Sequence, residues 1–182
     1  MLEISYPKIQ KNNKNDILIS LSEVTTKINI RGKNKEFFTK VGKILSIILP
    51  SEANTSSSND NYDVLWLSPD EWMVYFDENK NINIFNNLYK DISSLNFGSI
   101  TDVSSQFICI NIKGENIFDL LSSSSPFNFE KFKENVGSST QTLVNHIDVI
   151  IHHKSKNNIN LFVRRSFSEH LYDWLVDCTN FI

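Results

Sequence analysis

The chain has 182 residues, of which 40% are hydrophobic and 21% charged, with a net charge of −3. At this length folding buries about 70% of the surface the unfolded chain exposes, so a core forms without disulfide or metal staples. The composition excludes a wholly disordered or fibrous chain, and the slightly acidic balance offers no field for nucleic acid or an anionic membrane. Two cysteines, Cys109 and Cys178, are too few for a secreted disulfide scaffold or a Cys-rich zinc site.

In chain order, residues 1–16 are polar, with Lys11-Asn12-Asn13-Lys14-Asn15-Asp16, and predict a flexible arm without the basic and apolar regions of a secretory signal. Ile44-Leu45-Ser46-Ile47-Ile48-Leu49 is far shorter than the ~18 residues a membrane span needs, so a soluble, cytoplasmic protein is expected. Ile17-Leu18-Ile19 begins the ordered part, and Lys27-Ile28-Asn29-Ile30-Arg31 alternates as a half-buried strand does. Phe37, Val41, Leu45 and Ile48 recur at helical spacing over Lys35 to Ile48, with Pro50 as the stop. Ser51 to Asn61 has nothing to bury and predicts a surface loop; its Asn54-Thr55-Ser56 sequon has no role in a cytoplasmic chain.

Val64-Leu65-Trp66-Leu67 and Trp72-Met73-Val74-Tyr75-Phe76 predict two strands joined by Ser68-Pro69-Asp70-Glu71, where Ser68 and Glu71 have capping-box spacing. Phe85, Leu88, Ile92 and Leu95 predict a second helix, and Ser99 to Val103 a strand. The order strand, helix, strand, strand, helix, strand is the split β-α-β arrangement of ferredoxin-like folds.

The second half partly repeats it. Strands are expected at Phe107–Ile112, Thr140–Val144, Ile147–Ile151 and Asn160–Arg164, with a short helix from Gly114 to Leu121 that Ser122–Ser125 and Pro126 break. Ser166 and Glu169 have the spacing of a second capping box, opening a last helix whose inner stripe is Phe167, Leu171, Trp174, Leu175 and Cys178. The fold class predicted is α+β, in two halves (17–103 and 104–182) packed as one unit behind the arm at 1–16.

Chemistry is sparse. Five scattered glycines make neither a dinucleotide fingerprint nor a phosphate loop. His152 and His153 are adjacent on a strand and point to opposite faces, while His146 and His152 are about 20 Å apart along it, so no metal constellation is expected. His170 leans to solvent, and Cys109 and Cys178 lie on apolar stripes that leave a thiol inert. Asp148 stands alone between apolar residues. No catalytic, cofactor-binding or metal-ligating residue is predicted.

Two features suggest contact with another chain. Trp66 and Trp72 flank the acidic turn at Asp70 and Glu71, and are either partner anchors or, as the strand pattern favours, core of the first half. Arg164 and Arg165 adjoin a helix N-terminus, where a cation is electrostatically misplaced. They call for a fixed carboxylate in this chain, with Asp102 the candidate, or in another chain; a solvated pair is the alternative.

These residues carry a resemblance. Leu65-Trp66-Leu67-Ser68-Pro69-Asp70-Glu71-Trp72, Thr101-Asp102-Val103-Ser104, Gln141-Thr142, Phe162-Val163-Arg164-Arg165-Ser166-Phe167 and Tyr172-Asp173-Trp174-Leu175 resemble, in order, segments of the gamma subunit of heterotetrameric sarcosine oxidase. Ser68 replaces the family's usual glycine, and Ser122–Ser125 a Gly-Cys-Pro-like stretch.

The resemblance implies a fold related to the folate-binding domain of aminomethyltransferases, with Asp102-Val103-Ser104 and Gly114 to Leu121 similar to segments of that superfamily. Its Gly-Gly-hydrophobic-Asp-Asp folate segment is replaced here by Asn145-His146-Ile147-Asp148-Val149, with no glycine and one acid, which argues against folate binding by this chain. The function implied is an accessory, non-catalytic subunit docked on the alpha subunit. The complex, with beta and delta, converts sarcosine, tetrahydrofolate and oxygen to glycine, methylene-tetrahydrofolate and peroxide. FAD, FMN, NAD and zinc are expected in the partner subunits. The small subunit of an N-methylglutamate dehydrogenase and a stand-alone folate-binding one-carbon protein are the alternatives.

Overall fold

The computed structural model describes residues 11–22, 26–77, 83–95 and 97–182. It is a mixed α/β structure with two antiparallel sheets, and its contacts divide into two compact units. One, the continuous unit, is Glu23–Ser104; the other, the split unit, joins the described residues up to Ser22 to Ser105–Ile182.

The first two strands, β1 (Asn12–Lys14) and β2 (Ile17–Leu21), form a tight hairpin in which Lys14 faces Ile17. Asn15 and Asp16 both take positive φ, at 49° and 58°, the geometry of a two-residue turn matched to strand twist. The end of the expected arm is therefore ordered, because a short hairpin pairs even polar residues; the rest of that arm, residues 1–10, lies outside the described residues. β2 pairs with the later strand at Phe107–Lys113, so Ile17–Leu21 belong with residues 105–182 and not with the half that ends at Val103.

The continuous unit runs β3 (Thr26–Gly32), α1 (Lys35–Leu45), β4 (Ser56–Ser58), β5 (Asp63–Ser68), β6 (Glu71–Phe76), α2 (Ile84–Ser93) and β7 (Gly98–Asp102). Its sheet has the order β4-β5-β6-β3-β7. Asn34 caps α1 by accepting from the Phe37 N–H at 2.8 Å, and Phe37, Val41 and Leu45 make its buried stripe. The helix stops before Ile48 because Ser46 turns left-handed (φ 53°), so Pro50 is not what ends it. β4 was not legible in the Ser/Asn-rich loop: its three serines pair with Asp63–Leu65 through backbone bonds that need no apolar side chain. Ile28, Ile30, Val64, Trp72 and Val74 pack with Phe37, Val41, Leu88 and Ile92 into one core.

The split unit adds β8 (Phe107–Lys113), α3 (Ile117–Ser122), α4 (Glu130–Glu134), β9 (Ser139–Val144), β10 (Ile147–Ser155), β11 (Asn158–Arg164) and α5 (Ser168–Cys178). Its sheet order is β1-β2-β8-β11-β10-β9. Read from β9, the order β9-β10-β11-β8-β2 matches β4-β5-β6-β3-β7 of the continuous unit position for position. The units differ in connectivity, since β7 follows α2 directly whereas β2, its counterpart, precedes the whole continuous unit in sequence, and the split unit adds β1 at the sheet edge and the helix α4. Ile17, Ile19, Ile108, Ile110, Ile112, Ile151, Leu161 and Val163 supply one face of the sheet to a core shared with Leu120, Leu121, Leu171 and Leu175.

Two local expectations are corrected. A short 3-10 turn, Arg165–Phe167, precedes α5, and the Ser168 hydroxyl donates to the Arg165 carbonyl at 2.7 Å, so the Ser166–Glu169 capping box does not form. The short helix expected from Gly114 begins only at Ile117, since Gly114, with a non-helical φ of 149°, lies so close to β2 that a Cβ would sit 2.3 Å from the Asp16 carbonyl oxygen. Only glycine fits there.

Candidate functional site

The acidic turn between β5 and β6 folds back on the end of β3. Ser68 Oγ lies 2.9 Å from Asp70 Oδ1, so the Ser68 hydroxyl donates to its neighbour's carboxylate and closes the turn; Glu71 is not its capping partner. The Asp70 carboxylate also meets Arg31 at 3.5 Å and Lys33 at 3.4 Å, and its carbonyl accepts from the Gly32 N–H at 3.1 Å. The Ser68 hydrogen bond, seconded by the Lys33 and Arg31 charges, holds the Asp70 carboxyl below the usual carboxylate range. Glu71 accepts from the Asn29 amide at 2.6 Å and lies 3.8 Å from Arg31. Both predicted acids are thus engaged within the unit, by Asn29, Arg31 and Lys33, which the sequence reading did not single out. What would have flagged them is register alone, since Arg31 pairs with Glu71 across β3 and β6.

The tryptophans divide. Trp72 is buried, its indole N–H donates to the Pro50 carbonyl at 2.8 Å, and it meets Phe38 edge-on at 5.3 Å and Phe37 at 5.9 Å. Trp66, its cross-strand partner, is half-buried and packs against the same core. Asp102 closes the end of β7, its carboxylate accepting the Ser104 N–H at 2.8 Å.

The arginines separate in the same way. Arg164 ends β11 opposite Phe107 and is exposed, its guanidinium carbon 5.6 Å from the centre of that ring. Arg165 is half-buried at the start of the 3-10 turn, and its N–H donates to the Gln106 carbonyl at 2.8 Å. Asp102 belongs to the continuous unit and both arginines to the split unit.

The histidines take structural positions. His153 is fully buried, with Nδ1 3.0 Å from the Phe132 carbonyl and 3.1 Å from that of Asn135. Two carbonyls can only accept, so Nδ1 carries the proton, and Nε2 is left as a bare, buried lone pair against Phe118. His146 takes positive φ (64°) in the two-residue turn from β9 to β10, and His170 is exposed. Cys109 is buried; Cys178 is half-buried, its thiol pushed up by burial and then by Asp177. Among the described residues no three His, Cys, Asp or Glu side chains converge where a metal ion could bind.

The acids of the Asp70 turn are satisfied within their own unit, and comparison with known proteins shows the family to which the chain belongs. The sarcosine oxidase, gamma subunit family model matches residues 31–180. The chain belongs to that family. The match takes in the Arg31 end of β3, the Asp70-Glu71 turn and both arginines. In structure the chain is similar to heterotetrameric sarcosine oxidase from Corynebacterium sp. U-96 in complex with pyrrole 2-carboxylate, with a TM-score of 0.84 and 19% identity over 93% of this chain and 86% of that one. A more distant likeness, to aspartokinase alpha and beta subunits, has a TM-score of 0.51 and 10% identity over 94% of this chain and 99% of that one. At these identities the structural likenesses speak to fold. No curated protein matches the sequence.

Proposed function

We propose that this sarcosine oxidase gamma-family chain is an accessory, non-catalytic subunit that binds and stabilises the alpha subunit of a heterotetrameric sarcosine oxidase. The carrying observation is the family match over residues 31–180, supported by the 0.84 TM-score to a heterotetrameric enzyme. In this reading FAD, FMN, NAD and zinc reside in the alpha, beta and delta chains, and the assembly works in the cytoplasm. There it turns sarcosine, tetrahydrofolate and oxygen into glycine, methylene-tetrahydrofolate and peroxide. The described residues include no helix long and apolar enough to cross a membrane.

We also infer that each unit is a ferredoxin-like, split β-α-β module and that the pair corresponds to the folate-binding domain of aminomethyltransferases. The repeated strand order supports this. The place of that domain's folate segment is occupied by the tight turn at Asn145 and His146, a poor cradle for a pterin because both residues are committed to hairpin geometry. The test is to purify the chain alone: it should be colourless, release no peroxide from sarcosine and give no heat with tetrahydrofolate. Bound flavin, peroxide formation or micromolar folate binding would refute the reading.

A further inference from the structure

Strand register in the split unit sets four side chains in one row across its sheet. Leu143 on β9 faces Asp148 on β10, and Arg164 on β11 faces Phe107 on β8. Continuing the Val149–Val163 pairing by one residue puts Asp148 beside Arg164, on the face opposite Ile147, Val149 and Val163 of the core. The row borders a groove of about 370 Å³, lined also by Gln141 and Ile150.

The charges in this row have not found each other. Side chains directly opposite in antiparallel strands have Cβ atoms about 5 Å apart, close enough for an Asp and an Arg to pair. Arg164 instead leans over Phe107, and among the described residues neither its guanidinium nor the Asp148 carboxylate has an ion-pair or hydrogen-bond partner. The contrast with the Asp70 turn is direct, since there every acid is matched by a neighbouring cation or amide. Beside the two open charges Leu143 is 37% exposed, so apolar surface and free charge share one groove. An arginine backed by an aromatic ring, with apolar neighbours, is the composition of an interface hot spot.

We propose that this row is a docking site for a segment of a partner subunit that presents a carboxylate to Arg164 and, one strand spacing away, a cation to Asp148. The proposal rests on the chain's role as a subunit. Charge complementarity selects the occupant: the guanidinium fork takes a carboxylate in two parallel hydrogen bonds, while Asp148 repels a purely acidic segment and so fixes the direction in which the partner lies. Leu143, beyond Asp148 in the row, and Ile150, two residues along β10 on the same face, receive an apolar side chain of that segment.

The test is assembly of the complex from co-expressed subunits, with wild type, Arg164→Glu, Asp148→Lys and Arg164→Lys compared at low salt by size-exclusion and titration. Both charge reversals should weaken assembly about tenfold or more while circular dichroism and melting of the lone chain stay as in wild type, and Arg164→Lys should fall between. Assembly of Arg164→Glu within twofold of wild type overturns the proposal and leaves the subunit role standing; failure of the wild-type chain to assemble refutes that role instead. Calorimetric binding of free sarcosine to the lone chain, abolished by Arg164→Glu with assembly unchanged, overturns the proposal in favour of a small zwitterionic ligand.

Discussion

Replacing Trp72 by phenylalanine isolates what the motif tryptophan does. The ring contacts with Phe37 and Phe38, at 5.9 and 5.3 Å, are largely kept, but the hydrogen bond from the indole N–H to the Pro50 carbonyl (2.8 Å) is lost. Pro50 is buried, so its carbonyl is orphaned at a cost of about 1–3 kcal/mol. The smaller ring forfeits about 1 kcal/mol more of burial at a side chain only 1% exposed. The sum, about 2–4 kcal/mol, is a large share of the roughly 5–15 kcal/mol that holds a domain folded. Hydrogen exchange read by mass spectrometry over β3 and β6 is the suitable assay, because it reports this unit without the fluorescence the substitution removes. Exchange there should speed up about 30-fold to 1,000-fold, with β8 and β11 of the split unit changing much less. An acceleration under about fivefold would refute the claim that Trp72 anchors the segment at Pro50.

Three further outcomes are expected. The Asp70 carboxyl titrates below its unfolded value, so its contribution is present above that value, near pH 3.8, and is lost as pH falls through the folded one. Urea midpoints from pH 6 to pH 2.5 should therefore drop less steeply in Asp70→Asn than in wild type, and parallel curves would contradict the latch. Gly114→Ala places a methyl group 2.3 Å from the Asp16 carbonyl oxygen at φ 149°, and should lower the melting point of the split unit by several degrees; an unchanged melt would count against the β2–β8 register. His153→Phe removes the donor shared by the Phe132 and Asn135 carbonyls and should loosen α4 by about 1–3 kcal/mol, read as faster exchange over Glu130–Glu134, where wild-type protection would show that water replaces the ring.

The parts of this molecule that announce themselves in sequence are those with side-chain periodicity. Ile28 and Ile30, the Trp72–Phe76 run and the Phe37–Val41–Leu45 stripe signal β3, β6 and α1 because burial itself imposes the spacing. β1 and β4 escape that logic: Asn12–Lys14 and Ser56–Ser58 are strands by backbone pairing alone. Membership of β2 in the split unit's sheet was also illegible, since it depends on a partner about ninety residues away and not on Ile17–Leu21 themselves.

Site residues follow the same division. The Trp66-to-Trp72 segment is visible as a motif, yet its acids were readable as a partner anchor until Arg31, Lys33 and Asn29 are placed beside them. Asp148 looked solitary because only the register of three strands sets it between Leu143 and Arg164. Capping-box spacing misled at both places because no helix begins where it points: Ser68 lies in a turn between strands and donates to Asp70 Oδ1, and Ser166 lies inside a 3-10 turn, so that α5 starts only at Ser168.

The central claim is that this chain acts as a subunit, and co-purification measures it most directly. With a tag on this chain and the alpha, beta and delta chains of its sarcosine oxidase co-expressed, a single coloured species containing all four is predicted, forming peroxide from sarcosine where the lone chain forms none. Elution of the tagged chain by itself, with the other three assembling and turning over sarcosine normally in its absence, would contradict the account.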